Sequence, residues 1–151
     1  MATIKERSST RANVTLELKD EKGRLKKYFK VHNTITTVGL NALSSQLLPV
    51  PDIAKPGWME LGIGNRGSIL LDEYIPNSRL PLSYIGRNNN IITMMAFFTA
   101  QFPTTTITIT EAGVFNSETE NTADMLLYTT FRGINKLILD TLLITWEWEV
   151  N

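Results

Sequence analysis

Asp140-Thr141-Leu142-Leu143-Ile144-Thr145-Trp146-Glu147-Trp148-Glu149-Val150 is the stretch of this 151-residue chain whose pattern decides the fold. Leu142, Ile144, Trp146, Trp148 and Val150 fall on one side of an extended backbone, with Thr141, Thr145, Glu147 and Glu149 on the other. Strand side chains alternate with period two, so this reads as a half-buried strand whose tryptophans, Trp146 above all, sit in a core. The strand is predicted over residues 137–150.

The same period recurs upstream. Val14, Leu16 and Leu18 share one face and Thr15, Glu17 and Lys19 the other. Asp20-Glu21-Lys22-Gly23 supplies turn chemistry, and Leu25, Phe29 and Val31 then alternate with Lys26, Tyr28 and Lys30. Residues 13–31 therefore read as a β-hairpin. Further strands are predicted at Trp58–Ile63, with Met59, Leu61 and Ile63 in phase, and at residues 91–102, 104–116 and 125–131. Residues 91–102 are apolar on both faces, as in a central strand covered twice. Glu111 falls on the apolar face of residues 104–116, and Ala112-Gly113 is the expected bulge that resets the phase there. Residues 64–90 and 117–124 read as irregular loops.

The period changes once. Val38, Leu40, Leu43, Leu47 and Leu48 lie near helical spacing behind Thr36 and Thr37, predicting one helix at about 37–48 that Pro49 and Pro51 end. Residues 1–12 have no period and read as an N-terminal arm. About seven strands with no repeated crossover helices give a mainly β protein. An antiparallel β-sandwich or jelly-roll-like domain over residues 13–151 is expected.

Composition narrows the chemistry. The chain has no Cys and a single His, His32, so thiolate metal sites, disulfides, Cys nucleophiles and multi-His zinc sites are excluded. The opening MATIKERSSTRA lacks an apolar stretch, so no signal peptide is expected, and no segment reads as a membrane span. The net charge of zero hides an asymmetry: residues 1–30 carry nine Lys/Arg against four Asp/Glu, and the remainder six against eleven. A basic front on an acidic body suits contact between subunits, with Ile4, Lys5, Arg7, Arg11 and, in the body, Trp58 as candidate partner contacts. The plainer reading is a solvated basic hairpin whose lysines protect a sheet edge.

No motif reads as catalytic. Gly62-Ile63-Gly64-Asn65-Arg66-Gly67 fits the spacing of a dinucleotide phosphate loop, but Pro76 cuts short the helix such a loop requires. It reads as a glycine-rich turn leaving a strand. Glu147 and Glu149 share a strand face but read as its solvent side rather than as an acid/base pair. Ser117–Asp124 lacks the ligand order of a calcium loop. Glu111 is the most informative polar residue, because a carboxylate on an apolar face must be paired or hydrogen-bonded. It is expected to fasten a loop through backbone N–H groups or a buried Arg, with Arg79 as candidate partner.

Three segments in order, Leu61-Gly62-Ile63-Gly64-Asn65, Arg79-Leu80-Pro81-Leu82 and Ile109-Thr110-Glu111-Ala112-Gly113-Val114-Phe115, resemble the pattern of bacteriophage tail-collar fibre proteins and related small virion proteins. Val31–Leu48 resembles the helix preceding the Gly-x-Gly strand in such sequences, and Asp140–Val150 their closing strand. The family's usual aspartate after the Phe is Asn116 here. The resemblance implies a virion structural protein with no enzymatic activity, similar to capsid decoration (cement) proteins that sit on the assembled head as trimers and clamp neighbouring major capsid subunits. A tail, collar or baseplate adaptor is the alternative. The more distant one is a carbohydrate-binding β-sandwich that uses Trp58 beside the Pro-rich loop. No cofactor, metal, nucleic acid or membrane partner is expected, and localisation would be the virion.

Overall fold

A computed structural model describes residues 11–102 and 104–150. The chain forms β1 (Arg11–Lys19), β2 (Leu25–His32), β3 (Thr34–Ile35), α1 (Thr37–Ser45), β4 (Trp58–Gly62) and β5 (Leu80–Pro81). It continues with β6 (Tyr84–Asn88), β7 (Ile91–Phe98), β8 (Ile107–Phe115), β9 (Met125–Lys136) and β10 (Thr141–Glu149). Two five-stranded sheets result, ordered β2-β1-β10-β7-β6 and β3-β9-β8-β4-β5, with every pairing antiparallel. The architecture is the β-sandwich that the alternation predicts.

The closing strand lies at the centre of the first sheet. Trp146 stands opposite Val14 on one side and Met94 on the other, so one inner row runs Val31, Val14, Trp146, Met94, Ile85. Met59, Leu61, Ile109, Ala112 and Val114 of the facing sheet complete this core. Trp146 is wholly buried. Asn33 satisfies its indole, with the amide oxygen 2.9 Å from Trp146 Nε1 and the amide nitrogen 2.9 Å from the Ala12 carbonyl. A smaller cluster of Leu71, Phe115, Met125 and Tyr128, flanked by Trp58 and Tyr74, covers the outside of the second sheet.

The structure corrects several boundaries. β1 begins at Arg11, opposite Glu149, so Arg11 and Ala12 belong to the sheet rather than to an arm. Ile4, Lys5 and Arg7 lie outside the described residues. Residues 64–90 are not all loop: β5 and β6 lie within them, and the chain changes sheets there as it does between β2 and β3. Leu137–Asp140 is not strand but the turn joining β9 to β10. β7 is covered once, since Phe97 on its outer side is 45% exposed. Leu25 is exposed as well, beyond a register shift at Leu18/Lys19. Ile63 lies past the end of β4 and is partly exposed, out of phase with buried Met59 and Leu61. The irregularities of β8 fall between Ile109 and Glu111 and between Val114 and Phe115; Gly113 sits in regular register opposite Glu60 and Tyr128.

The helix is shorter than predicted and faces the other way. Its buried side is Gly39, Ala42 and Ser45, while Leu40 is half exposed and Leu47 is 87% exposed beyond the helix end. The cause is close packing on β9. A Cβ on Gly39 would land on the Leu126 carbonyl oxygen, so only small residues fit the contact; Val38 and Leu43 are half-buried against the core at its flank, and Leu40 is turned outward. Thr36 caps the helix by accepting from Gly39 N at 2.9 Å while donating to the Met125 carbonyl. Ser45 ends it: its hydroxyl donates to Asp52 and accepts from the backbone N–H groups of Asp52 and Ile53, tying the Pro-rich loop back onto the last turn.

Candidate functional site

The three segments that carry the family resemblance converge on two buried polar knots. In the first, Glu111 is fully buried and accepts from Glu73 N at 2.9 Å, Asp72 N at 3.4 Å and the Tyr128 hydroxyl at 2.6 Å. The expected fastening of a loop through backbone N–H groups is thus observed. Gly62 makes it sterically feasible, because a Cβ there would collide with the Glu111 carboxyl group. Thr110 donates to the Gly64 carbonyl at 2.8 Å, and Tyr128 in turn accepts from Gly67 N at 2.9 Å. Asp72 accepts from Asn65 N and Arg66 N, both at 3.1 Å. A phosphate loop holds such N–H groups open for an anion; here the chain's own carboxylate occupies two of them, so Gly62–Gly67 is a clasped turn.

Arg79 does not meet Glu111. It forms the second knot with Glu60, a residue not singled out in the sequence: Nε donates to Glu60 Oε2 at 3.1 Å, with both side chains about 1% exposed. Its guanidinium lies 3.6 Å over the Phe115 ring. Nη1 donates to the carbonyls of Ser117 and Thr119, to Thr122 Oγ1 and to Asp124 Oδ1. The acidic loop considered for calcium therefore wraps a cation, and that cation is a guanidinium. Burial pushes the Glu60 carboxyl group above its ordinary pKa, with Arg79 opposing the shift. Among the described residues, no three His, Cys, Asp or Glu side chains group as a metal site.

Burial, and then the bond to Glu111, raise the Tyr128 phenol well above its ordinary pKa of 10.0. A group whose folded pKa is raised contributes stability that is complete below its unfolded pKa and lost as pH climbs past it. Tyr128→Phe is expected to lose about 1.5–3 kcal/mol at neutral pH, since the lost bond is to a charged group. The variant should also lack this phenol's share of the stability decline above about pH 10. Denaturant unfolding across pH checks both.

A polar cleft of about 550 Å³ runs between this turn and the β3 edge, lined by His32, Thr34, Thr37, Asn65, Ser68 and Tyr128 among others. His32 ends β2, where its carbonyl accepts from the Thr129 hydroxyl at 3.0 Å. Trp58, the candidate partner contact, is half-buried against the Phe115 cluster. Glu147 is exposed and Glu149 half-buried on the outer sheet face, as expected of a solvent side.

Several large apolar side chains are exposed at the two ends of the sandwich. Lys19 pairs with Thr141, so the β1–β2 and β9–β10 turns share one end of the sandwich. There Leu25 is 57% exposed, and Leu137, Ile138 and Leu139 are 42–43% exposed. The tip is held rigidly: buried Asp140 accepts from Leu137 N at 2.9 Å and pairs with Lys26 Nζ at 2.6 Å. At the other end, where Ala12 pairs with Trp148, α1 and the following residues expose Leu40, Leu47, Leu48 and Val50. Seven strand steps separate these two pairs, about 23 Å. The spacing of Leu137–Leu139 held no sign of this, because a continuous apolar run reads equally as buried strand.

No protein family, curated protein or solved structure matches this chain.

Proposed function

We propose that this chain is a bacteriophage virion structural protein of the capsid decoration kind, acting by adhesion to the assembled head. One observation carries the reading beyond the order of its motifs: apolar side chains stand exposed at both ends of a rigid sandwich. Exposed apolar groups gathered in patches mark contact surfaces, and two of them at ends about 23 Å apart suit a block that bridges neighbouring subunits. The residues that resemble the virion family serve as buried fasteners between loops, which is scaffold work rather than turnover. The half-burial of Trp58 weighs against a sugar-binding surface there.

Copy number on particles tests the proposal. A decoration protein should appear in many copies on empty heads, as homotrimers if it follows the family. A tail or collar adaptor should appear in few copies and only with tails. Deleting residues 1–10, which leaves β1 whole, is expected to keep the domain folded while weakening its saturation of heads. Truncated protein that saturates heads at the full-length concentration would remove the arm from the interface.

A further inference from the structure

Among the described residues the sandwich has four edge strands, and three are guarded against pairing with another chain. β2 carries Lys26, Lys27 and Lys30; β3 is two residues long; β5 is two residues long and contains Pro81. Lysines, prolines and very short strands are the usual protections of an edge. β6 has no Lys or Pro and is longer than two residues; its one charge is Arg87. It is five residues, Tyr84-Ile85-Gly86-Arg87-Asn88, paired only with β7, with Tyr84 52% and Ile85 49% exposed. Along such a strand about half the residues turn their N–H and C=O groups away from the existing partner.

A pocket lies beside this edge. It measures about 190 Å³ and is almost wholly apolar, lined by Leu43, Pro56, Ile85, Ile92 and Trp148, with Lys55 its one charged residue. Ile85 and Arg87 point to the same side of the sheet as Ile92 and Trp148, since Arg87, Ile92 and Trp148 lie in one row of the ladder. Both charges that the pocket and β6 supply, Lys55 and Arg87, are cations.

We infer that β6 and this pocket form a docking site for an extended segment of another protein. The segment adds a strand to the sheet, sets an aliphatic side chain against Ile85 at the mouth of the pocket, and presents carboxylates to Lys55 and Arg87. Main-chain hydrogen bonds provide affinity in this mode, and the pocket for alternate side chains provides selectivity. The site stands on edge and pocket geometry alone, so finding the chain outside a virion would leave it intact.

A random-peptide display library selected against the purified full-length chain tests this. The expected winners alternate apolar residues and carry flanking acids, and they slow amide hydrogen exchange at residues 84–88. Ile85→Lys and Arg87→Glu should each weaken the winning peptide at least tenfold without lowering the melting temperature. N-methylating alternate amides of that peptide should abolish binding to the unmodified protein. No enrichment, or binding indifferent to both variants and to N-methylation, would overturn the site. Self-association of the chain that Ile85→Lys abolishes would assign the edge to a second copy and overturn the foreign segment.

Discussion

Trp146→Ala is expected to destabilise the protein by about 3–5 kcal/mol, the range for deleting a large buried aromatic side chain. Trp146 is the centre of its sheet in both directions: β10 lies between β1 and β7, and the indole is wholly buried between Val14 and Met94. No neighbour can swing into the space, because the row is fixed by backbone ladders on both sides. The substitution also leaves the Asn33 amide oxygen without the indole donor. Denaturant unfolding measures the loss. A change below about 1 kcal/mol is a surface value, and it would put the tryptophan face in solvent and invert the phase of the entire first sheet.

Arg79→Met should cost a similar amount, about 3–5 kcal/mol, by a different route. The sandwich core is untouched; instead the Glu60 carboxylate is left buried without its partner, and the 117–124 loop loses the cation it wraps. The pH dependence distinguishes the two variants. Glu60 already has its carboxyl pKa raised by burial, and removing Arg79 takes away the opposing influence. A raised carboxyl pKa favours the fold in acid and penalises it as pH rises through that pKa. The deficit of Arg79→Met should therefore be largest at neutral pH and shrink toward pH of about 4, the unfolded carboxylate range. Adding Glu60→Met should recover most of the neutral-pH loss, since a buried pair replaced by apolar side chains is often neutral. A deficit independent of pH, or no recovery in the double variant, would show that Glu60 is not the group left stranded.

These two residues also mark what the sequence made legible. Trp146 could be read directly, because period-two alternation translates one-to-one into the faces of a strand. Glu111 reads as a residue needing partners because it shares the parity of Ile107 and Ile109, but the register shift between Ile109 and Glu111 turns it to the outer side, opposite Ala112 and Val114. Its actual partners are not legible: two are backbone N–H groups and one is Tyr128, on another strand. Arg79 was paired with the wrong carboxylate because Glu60 has the phase of a solvent-facing residue. It is buried because the 117–124 loop folds over that side of β4, a tertiary event with no local signature. The helix misled in the opposite sense. Its leucines have helical spacing, but close approach to β9 selected Gly39, Ala42 and Ser45 for the interior. β6 was hidden within an irregular stretch since five residues with a central Gly carry too little alternation to register.

The pairing of β1 with β10 has a consequence for how the protein is made. β1 finds its central neighbour only in β10, about 130 residues later along the chain. Until β10 emerges, β1 has only β2 as a ladder partner in its own sheet, and a lone hairpin is marginally stable in water. Contacts so distant along the chain slow folding and prolong the life of aggregation-prone intermediates. The nascent domain thus stays adhesive until β10 is made, and a host that pauses translation between β9 and β10 would be expected to lose it to chaperones and proteases.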